Sequence, residues 1–80
     1  EGSVNIEEQP FDEGASGSVK LVLKQDSWES TIYSKSSVSN DDFPLNITFE
    51  GDREGGGTVI MYVNGKQYNT YSVNLSAISD

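Results

Sequence analysis

The chain has 80 residues, of which 34% are hydrophobic and 10% aromatic, and thirteen acidic against five basic residues give it a net charge of −8. A chain of this length forms a single domain, residues 1–80, and buries only about 60% of the surface that it exposes when unfolded. The acidic balance excludes nucleic acid as a partner, and no apolar run approaches the roughly 20 residues that membrane insertion needs.

The sequence contains neither cysteine nor histidine. It therefore has no disulfide framework, thiolate zinc site or redox motif, and it lacks the commonest general base. No Ser-x-x-Lys or Gly-x-Ser-x-Gly pattern supports a hydrolytic nucleophile. Two carboxylates alone could serve a glycosidase, but a domain of this size has little material to wall a cleft around a sugar. We therefore expect that the protein is not an enzyme.

The amino-terminal part predicts one short strand, a loop and a longer strand. Val4 and Ile6 alternate with polar residues, which predicts a short edge strand that ends before Pro10. Residues 12–17 have the small and acidic composition of a flexible loop. Residues 17–24 then alternate regularly, so we predict a strand whose odd-numbered positions face the core.

The middle of the chain is more polar. A turn at residues 25–27 leads into a predicted strand at residues 28–33, in which Trp28 takes one face and Tyr33 the other. Residues 34–42 are polar and long enough to be a crossover loop, so the strands on either side of them are expected in different sheets.

The next strand is predicted at residues 45–50, where Leu45, Ile47 and Phe49 point inward in the cleanest alternation of the chain. Residues 51–57 contain three consecutive glycines and predict a mobile loop. A hairpin follows at residues 58–75.

Asn64-Gly65 marks the turn of that hairpin, between two runs rich in β-branched and aromatic residues. Both central positions of a type I′ turn need positive φ, which makes Asn-Gly the strongest short-range hairpin signal. In either register the first strand is apolar on both sides, which is typical of a central strand.

Two registers of this hairpin are compatible with the sequence. A two-residue loop places Val63 opposite Lys66, and the even-numbered positions of the first strand then share a face with Tyr71. A three-residue loop with a bulge places Tyr62 opposite Lys66, and the odd-numbered positions share that face instead.

Together these elements give five strands, or six with the amino-terminal one, and no helical period. The predicted fold is all-β: a small two-sheet antiparallel β-sandwich with Greek-key or Ig-like connections. A small open barrel is the alternative.

Asn40, Asp41 and Asp42 form the best candidate metal site, because Ca²⁺ prefers hard oxygen ligands, and Asp52 or Glu54 could approach from a neighbouring loop. Ca²⁺ is thus the one cofactor that the sequence suggests. No EF-hand spacing is present, and the alternative interpretation is an Asx-rich turn before the next strand.

Trp28, Tyr33 and Tyr68 are the candidate carbohydrate-binding residues, since flat rings presented to solvent stack on sugar rings. Trp28 stands among acidic and hydroxyl side chains, and Tyr68 lies on the polar face of the hairpin. The structural alternative is that Trp28 closes one end of a small core and that the tyrosines form cross-strand pairs.

The outward positions are rich in Ser, Thr and Asn, and in this the chain resembles extracellular β modules such as small carbohydrate-binding modules and surface filament subunits. We therefore predict a non-catalytic module, extracellular or at the cell surface, that binds a polysaccharide. The alternative is a structural subunit or spacer of a surface assembly, held to another surface protein by strand addition through the segment around Val4 and Ile6. Because residue 1 is Glu, we expect a piece of a larger protein.

Overall fold

The computed structural model describes residues 1–77, which form six strands and one short 3-10 helix. In chain order the elements are β1 (Gly2–Ile6), β2 (Ser16–Gln25), β3 (Trp28–Ser39), the 3-10 helix (Asn40–Asp42), β4 (Leu45–Phe49), β5 (Gly55–Val63) and β6 (Lys66–Leu75). One antiparallel sheet pairs β1 with β4, and the other has the order β3-β2-β5-β6. The predicted all-β sandwich is confirmed. No helix in the described part has the length and hydropathy of a membrane span.

The core lies between the two sheets and follows the alternation in the sequence. The predicted inward positions Val19, Leu21 and Leu23 of β2 are buried, as are Val4 and Ile6 of β1. The remaining members of the buried cluster come from the other strands and from the connection after the 3-10 helix: Val38, Phe43, Leu45, Val59, Met61 and Leu75. β5 is a central strand, as its two apolar faces predicted.

The β5–β6 turn has the predicted two-residue geometry. Asn64 and Gly65 both have positive φ, 53° and 81°, and Val63 lies opposite Lys66. This end of the hairpin follows the two-residue register, since its turn needs two left-handed residues and Asn-Gly supplies them.

The faces of β5, however, follow the three-residue register. Beyond the turn the ladder shifts, so that Tyr62 opposes Gln67 while Met61 opposes Asn69, and Tyr68 is left as a bulged residue on β6. Val59 therefore lies opposite Tyr71. The bulge reconciles the favoured turn with burial of the odd-numbered positions, because one extra residue exchanges the faces of a strand.

The prediction of a crossover loop at residues 34–42 was wrong in part. β3 continues to Ser39, and its end pairs with the start of β2, with Gly17 opposite Val38. Val38 is fully buried and anchors this run, while Ser36 and Ser37 before it are exposed, as suits an outer strand. The true crossover begins at the 3-10 helix, and β3 and β4 do lie in different sheets.

The prediction of a mobile loop at residues 51–57 was also wrong in part, because Gly55, Gly56 and Gly57 belong to β5 and pair with the end of β6. The Gln25 side-chain amide fixes their start by donating to the Glu54 carbonyl at 2.8 Å and to the Gly56 carbonyl at 3.1 Å.

β3 and β6 are the outer strands of the four-stranded sheet, and each register shift places its extra residue on one of them. Ile32 is the extra residue between the pairs Val22–Thr31 and Leu21–Tyr33, and β3 has a further extra residue before Val38. On β6 the extra residue is Tyr68.

Candidate functional site

A cleft of about 440 Å³ opens at the end of the sandwich where β3 begins and β4 ends. Its apolar lining comes from four strands: Leu23, Ile32, Phe49 and Leu75. Polar groups stand around it on the segment after β4, among them Glu50, Asp52 and Arg53, and Trp28 forms part of the wall. The cleft therefore offers apolar surface, an indole and groups of both charges within one concave space.

Trp28 makes two kinds of contact in this place. It is half-buried and packs against the hydrophobic core, as the structural alternative predicted, and it also lines the cleft. The guanidinium carbon of Arg53 lies 4.1 Å from the centroid of its ring, a geometry that gives a cation–π attraction of about 0.5–1 kcal/mol at an exposed site.

Gln25 connects Arg53 to the sheet. The Arg53 Nη1 donates to the Gln25 Oε1 at 3.4 Å, and Gln25 in turn holds the backbone of Glu54 and Gly56. The segment after β4 is thereby fastened to the β2–β3 hairpin. These contacts position the charged groups beside Trp28.

Tyr33 and Tyr68 do not line this cleft. Tyr33 lies opposite Leu21 and is partly buried against the core, whereas Tyr68 is 47% exposed on its bulge. Tyr68 and Trp28 lie on the two outer strands of the sheet, roughly 14 Å apart or more at a strand spacing of about 4.8 Å. The structure thus does not bring the three rings together, and sugar contacts at the two tyrosines stay a prediction.

The candidate metal residues lie at the opposite end of β3. Asn40 uses its side-chain amide to hold the backbone of Phe11: its Oδ1 accepts from the Phe11 N–H at 3.0 Å and its Nδ2 donates to the Phe11 carbonyl at 2.7 Å. Asp42 caps the 3-10 helix by accepting from the Ser39 N–H at 2.8 Å. The Asp42 contact is local, as the Asx-rich turn of the alternative interpretation requires, whereas the Asn40 contacts join segments 29 residues apart.

Asp52 and Glu54 do not approach Asp41. They lie beside the first residue of β3, whereas Asp41 follows the last, and the twelve residues of β3 span roughly 35 Å at about 3.3 Å per residue. Within residues 1–77 no three acidic, histidine or cysteine side chains are grouped as a metal site. Calcium binding at Asn40, Asp41 and Asp42 stays a prediction.

One polar cluster was not predicted from the sequence. The Tyr71 hydroxyl donates a short hydrogen bond to the Glu8 carboxylate, and the Asn69 Nδ2 donates to its other oxygen at 3.3 Å. Burial, and then the hydrogen bond with Glu8, raise the pKa of Tyr71 well above its usual range. Sixty-three residues separate this pair, and no local pattern signals such a contact.

Comparison with known families, curated proteins and solved structures finds no match. The function must therefore be inferred from the cleft that Trp28 lines, which we call the Trp28 cleft.

Proposed function

We propose that the chain is a non-catalytic extracellular module that binds a polysaccharide in the Trp28 cleft. The observation that carries this proposal is the combination in one cleft of an apolar floor, the Trp28 indole and charged side chains around it. Ligand sites of soluble proteins typically have this composition, a mostly apolar lining with a few polar groups that fix orientation.

A sugar unit matches these surfaces chemically. Its C–H faces suit the apolar floor and the indole, as aromatic residues offer a large apolar area with a polar edge. Its hydroxyls can accept from the Arg53 guanidinium and donate to the carboxylates of Glu50 and Asp52. Charge-assisted hydrogen bonds of this kind are stronger than neutral ones.

The charge around the cleft narrows the class of polysaccharide. Glu1, Glu50 and Asp52 place three carboxylates among the lining residues, while Arg53, the one basic side chain among them, already lies on Trp28. A uronic or sulfated chain would be repelled by the carboxylates. We therefore expect a neutral glycan. A Ca²⁺ ion bound in the Asp41 region would lie at the other end of β3 from this cleft.

Strand addition through the amino-terminal segment is the weaker proposal. β1 already pairs with β4 within the chain, from Gly2 opposite Phe49 to Ile6 opposite Leu45, and both Val4 and Ile6 are buried. Donating this strand to a neighbour would remove two core residues from the donor.

The emission of Trp28, the only tryptophan, tests the proposal directly. We expect at least one glycan in a panel of soluble neutral polysaccharides to change its intensity and wavelength in a saturable way. The double variant Glu50→Gln/Asp52→Asn should lower the affinity for that glycan by about tenfold or more, since it removes two charged acceptors without changing the core. Tyr68→Ala, at the other edge of the sheet, distinguishes the cleft from the site predicted from the sequence: it should bind as the native chain does if the cleft alone holds the glycan, and more weakly if Tyr68 also contacts it. A panel in which no glycan alters the emission would overturn the proposal.

A further inference from the structure

Positive and negative charges are segregated between parts of this molecule. The four strands of the larger sheet carry four lysines and one acid: Lys20, Lys24, Lys35, Lys66 and Glu29. The rest of residues 1–77 carries eleven acidic residues and a single basic one, Arg53. The four strands of the larger sheet therefore carry a net positive charge, although the net charge of the whole chain is −8.

Two of the lysines belong to the outer surface of that sheet. Lys20 lies opposite Tyr62, and Val22 lies opposite Ile60; these positions alternate with the buried Leu21 and therefore face away from the core. We call Lys20, Val22, Lys24, Ile60 and Tyr62 the lysine face. Lys20 and Lys24 of this face are exposed, and Ile60 and Tyr62 are exposed in part.

The lysine face combines apolar surface with two lysines, and one carboxylate, Glu29, lies opposite Lys24 at its edge. Val22 is only 8% exposed, and Ile60 and Tyr62 are half-buried, so the three side chains form a continuous apolar strip along two central strands. The Lys20 Nζ lies 5.1 Å from the centroid of the Tyr62 ring, and Lys24 is exposed at the far end of the strip.

A complementary surface lies at the end of the molecule formed by the 3-10 helix. Asp12, Glu13, Asp41 and Asp42 are all exposed there, and we call them the acidic pole. The two segments that carry them are held together by the double hydrogen bond between Asn40 and the Phe11 backbone. The four carboxylates are therefore presented by a fixed piece of structure.

We propose that the lysine face of one copy of this chain binds the acidic pole of a second copy. Such a contact joins two different surfaces, so one copy keeps its acidic pole free and the other keeps its lysine face free. Further copies can then add head to tail, in an open chain or a closed ring. The apolar strip is covered in the contact, while the lysines and carboxylates set its orientation. The proposal is independent of the polysaccharide cleft, which lies on the segment after β4.

Sedimentation velocity over a range of protein concentrations tests the proposal. Because the charges are exposed, association should be strong at about 0.02 M salt and largely lost at about 0.5 M, where the Debye length falls to a few ångströms. Lys20→Glu/Lys24→Glu should weaken it by about tenfold or more. The matched control is Lys35→Glu/Lys66→Glu, which changes the net charge equally but alters side chains opposite Val19 and Val63, on the other side of the sheet.

A mixing experiment shows whether a variant fails to associate only because it is unfolded. Glu13→Lys/Asp41→Lys has a pole whose charge is neutralised and should not associate alone. An equimolar mixture with Lys20→Glu/Lys24→Glu should associate, because the first variant keeps the lysine face and the second keeps the acidic pole. A native chain that stays monomeric at low salt would overturn the proposal. So would equal weakening by the two lysine pairs, or a mixture that does not associate.

Discussion

Arg53 lies over Trp28, with its guanidinium carbon 4.1 Å from the ring centroid. The contact joins the wall of the cleft to the segment that carries its charged groups. Trp28 thus reports on this segment as well as on any ligand.

Arg53→Ala is expected to uncover the indole. The emission of Trp28 should shift to the red and become more easily quenched by iodide, and the free energy of unfolding should fall by about 0.5–1 kcal/mol, the usual value of an exposed cation–π pair. Arg53→Lys keeps the charge without the planar group and should give an intermediate quenching constant. Unchanged quenching in both variants would show that Arg53 does not cover the ring in solution.

Gly17→Ala is expected to destabilise the hairpin end of the sheet. A Cβ at this position would lie 2.2 Å from the Asn64 Oδ1, which accepts a hydrogen bond from the Ser18 N–H at 3.0 Å. The Asn64 side chain must move, and the loss of packing and of this bond should cost about 1–3 kcal/mol in denaturant unfolding.

Asn64→Gly provides the control for Gly17→Ala, since Gly-Gly also forms type I′ turns. In the Asn64→Gly background, Gly17→Ala should lower the free energy of unfolding by clearly less, because the Asn64 Oδ1 that the new Cβ would meet is absent. Additive costs in this double-mutant cycle would contradict the proposed clash.

The raised pKa of Tyr71 predicts that the folded chain loses stability at alkaline pH. Its pKa is raised in the folded chain by burial and by the bond to Glu8, so the folded state holds the phenol proton more tightly than the unfolded state does. The resulting stability is complete below about pH 10, the unfolded pKa, and is lost as the pH rises above it. In Tyr71→Phe the free energy of unfolding should fall less steeply above this pH than it does in the native chain. Tyr68 is a half-exposed tyrosine on the same strand, and Tyr68→Phe should leave the steep fall unchanged.

Asn40→Ala is expected to release the segment around Phe11 from the 3-10 helix. It removes both hydrogen bonds to the Phe11 backbone, at a cost of about 1–3 kcal/mol. Asp41→Asn, an exposed neighbour in the same helix, should change the free energy of unfolding by less than about 0.5 kcal/mol. Equal effects of the two substitutions in chemical unfolding would contradict the structural role of Asn40.

The sequence predicted the features that depend on neighbouring residues. Alternation placed Val19, Leu21 and Leu23 in the core, and Asn64-Gly65 located the turn, because side-chain period and left-handed φ are local properties. The register of β5 and β6 needed the bulge at Tyr68, which depends on how both faces pack at once.

Contacts between distant parts of the chain could not be predicted. Arg53 over Trp28, Asn40 on Phe11 and the hydrogen bond between Tyr71 and Glu8 arise only when the strands are assembled. For the same reason the candidate aromatics, chosen by local polarity, prove to lie in three different surroundings. Trp28 alone among them reaches the cleft.

The three register shifts of the larger sheet have a consequence for the behaviour of the protein at high concentration. Each extra residue lies on an outer strand, twice on β3 and once on β6, where it breaks the even row of N–H and C=O groups that a foreign strand would need for pairing. A chain without disulfides that unfolds or frays would otherwise present long, flat edges, which are the usual starting points of fibrils. The irregular edges of this sheet therefore disfavour pairing with a strand of a second molecule.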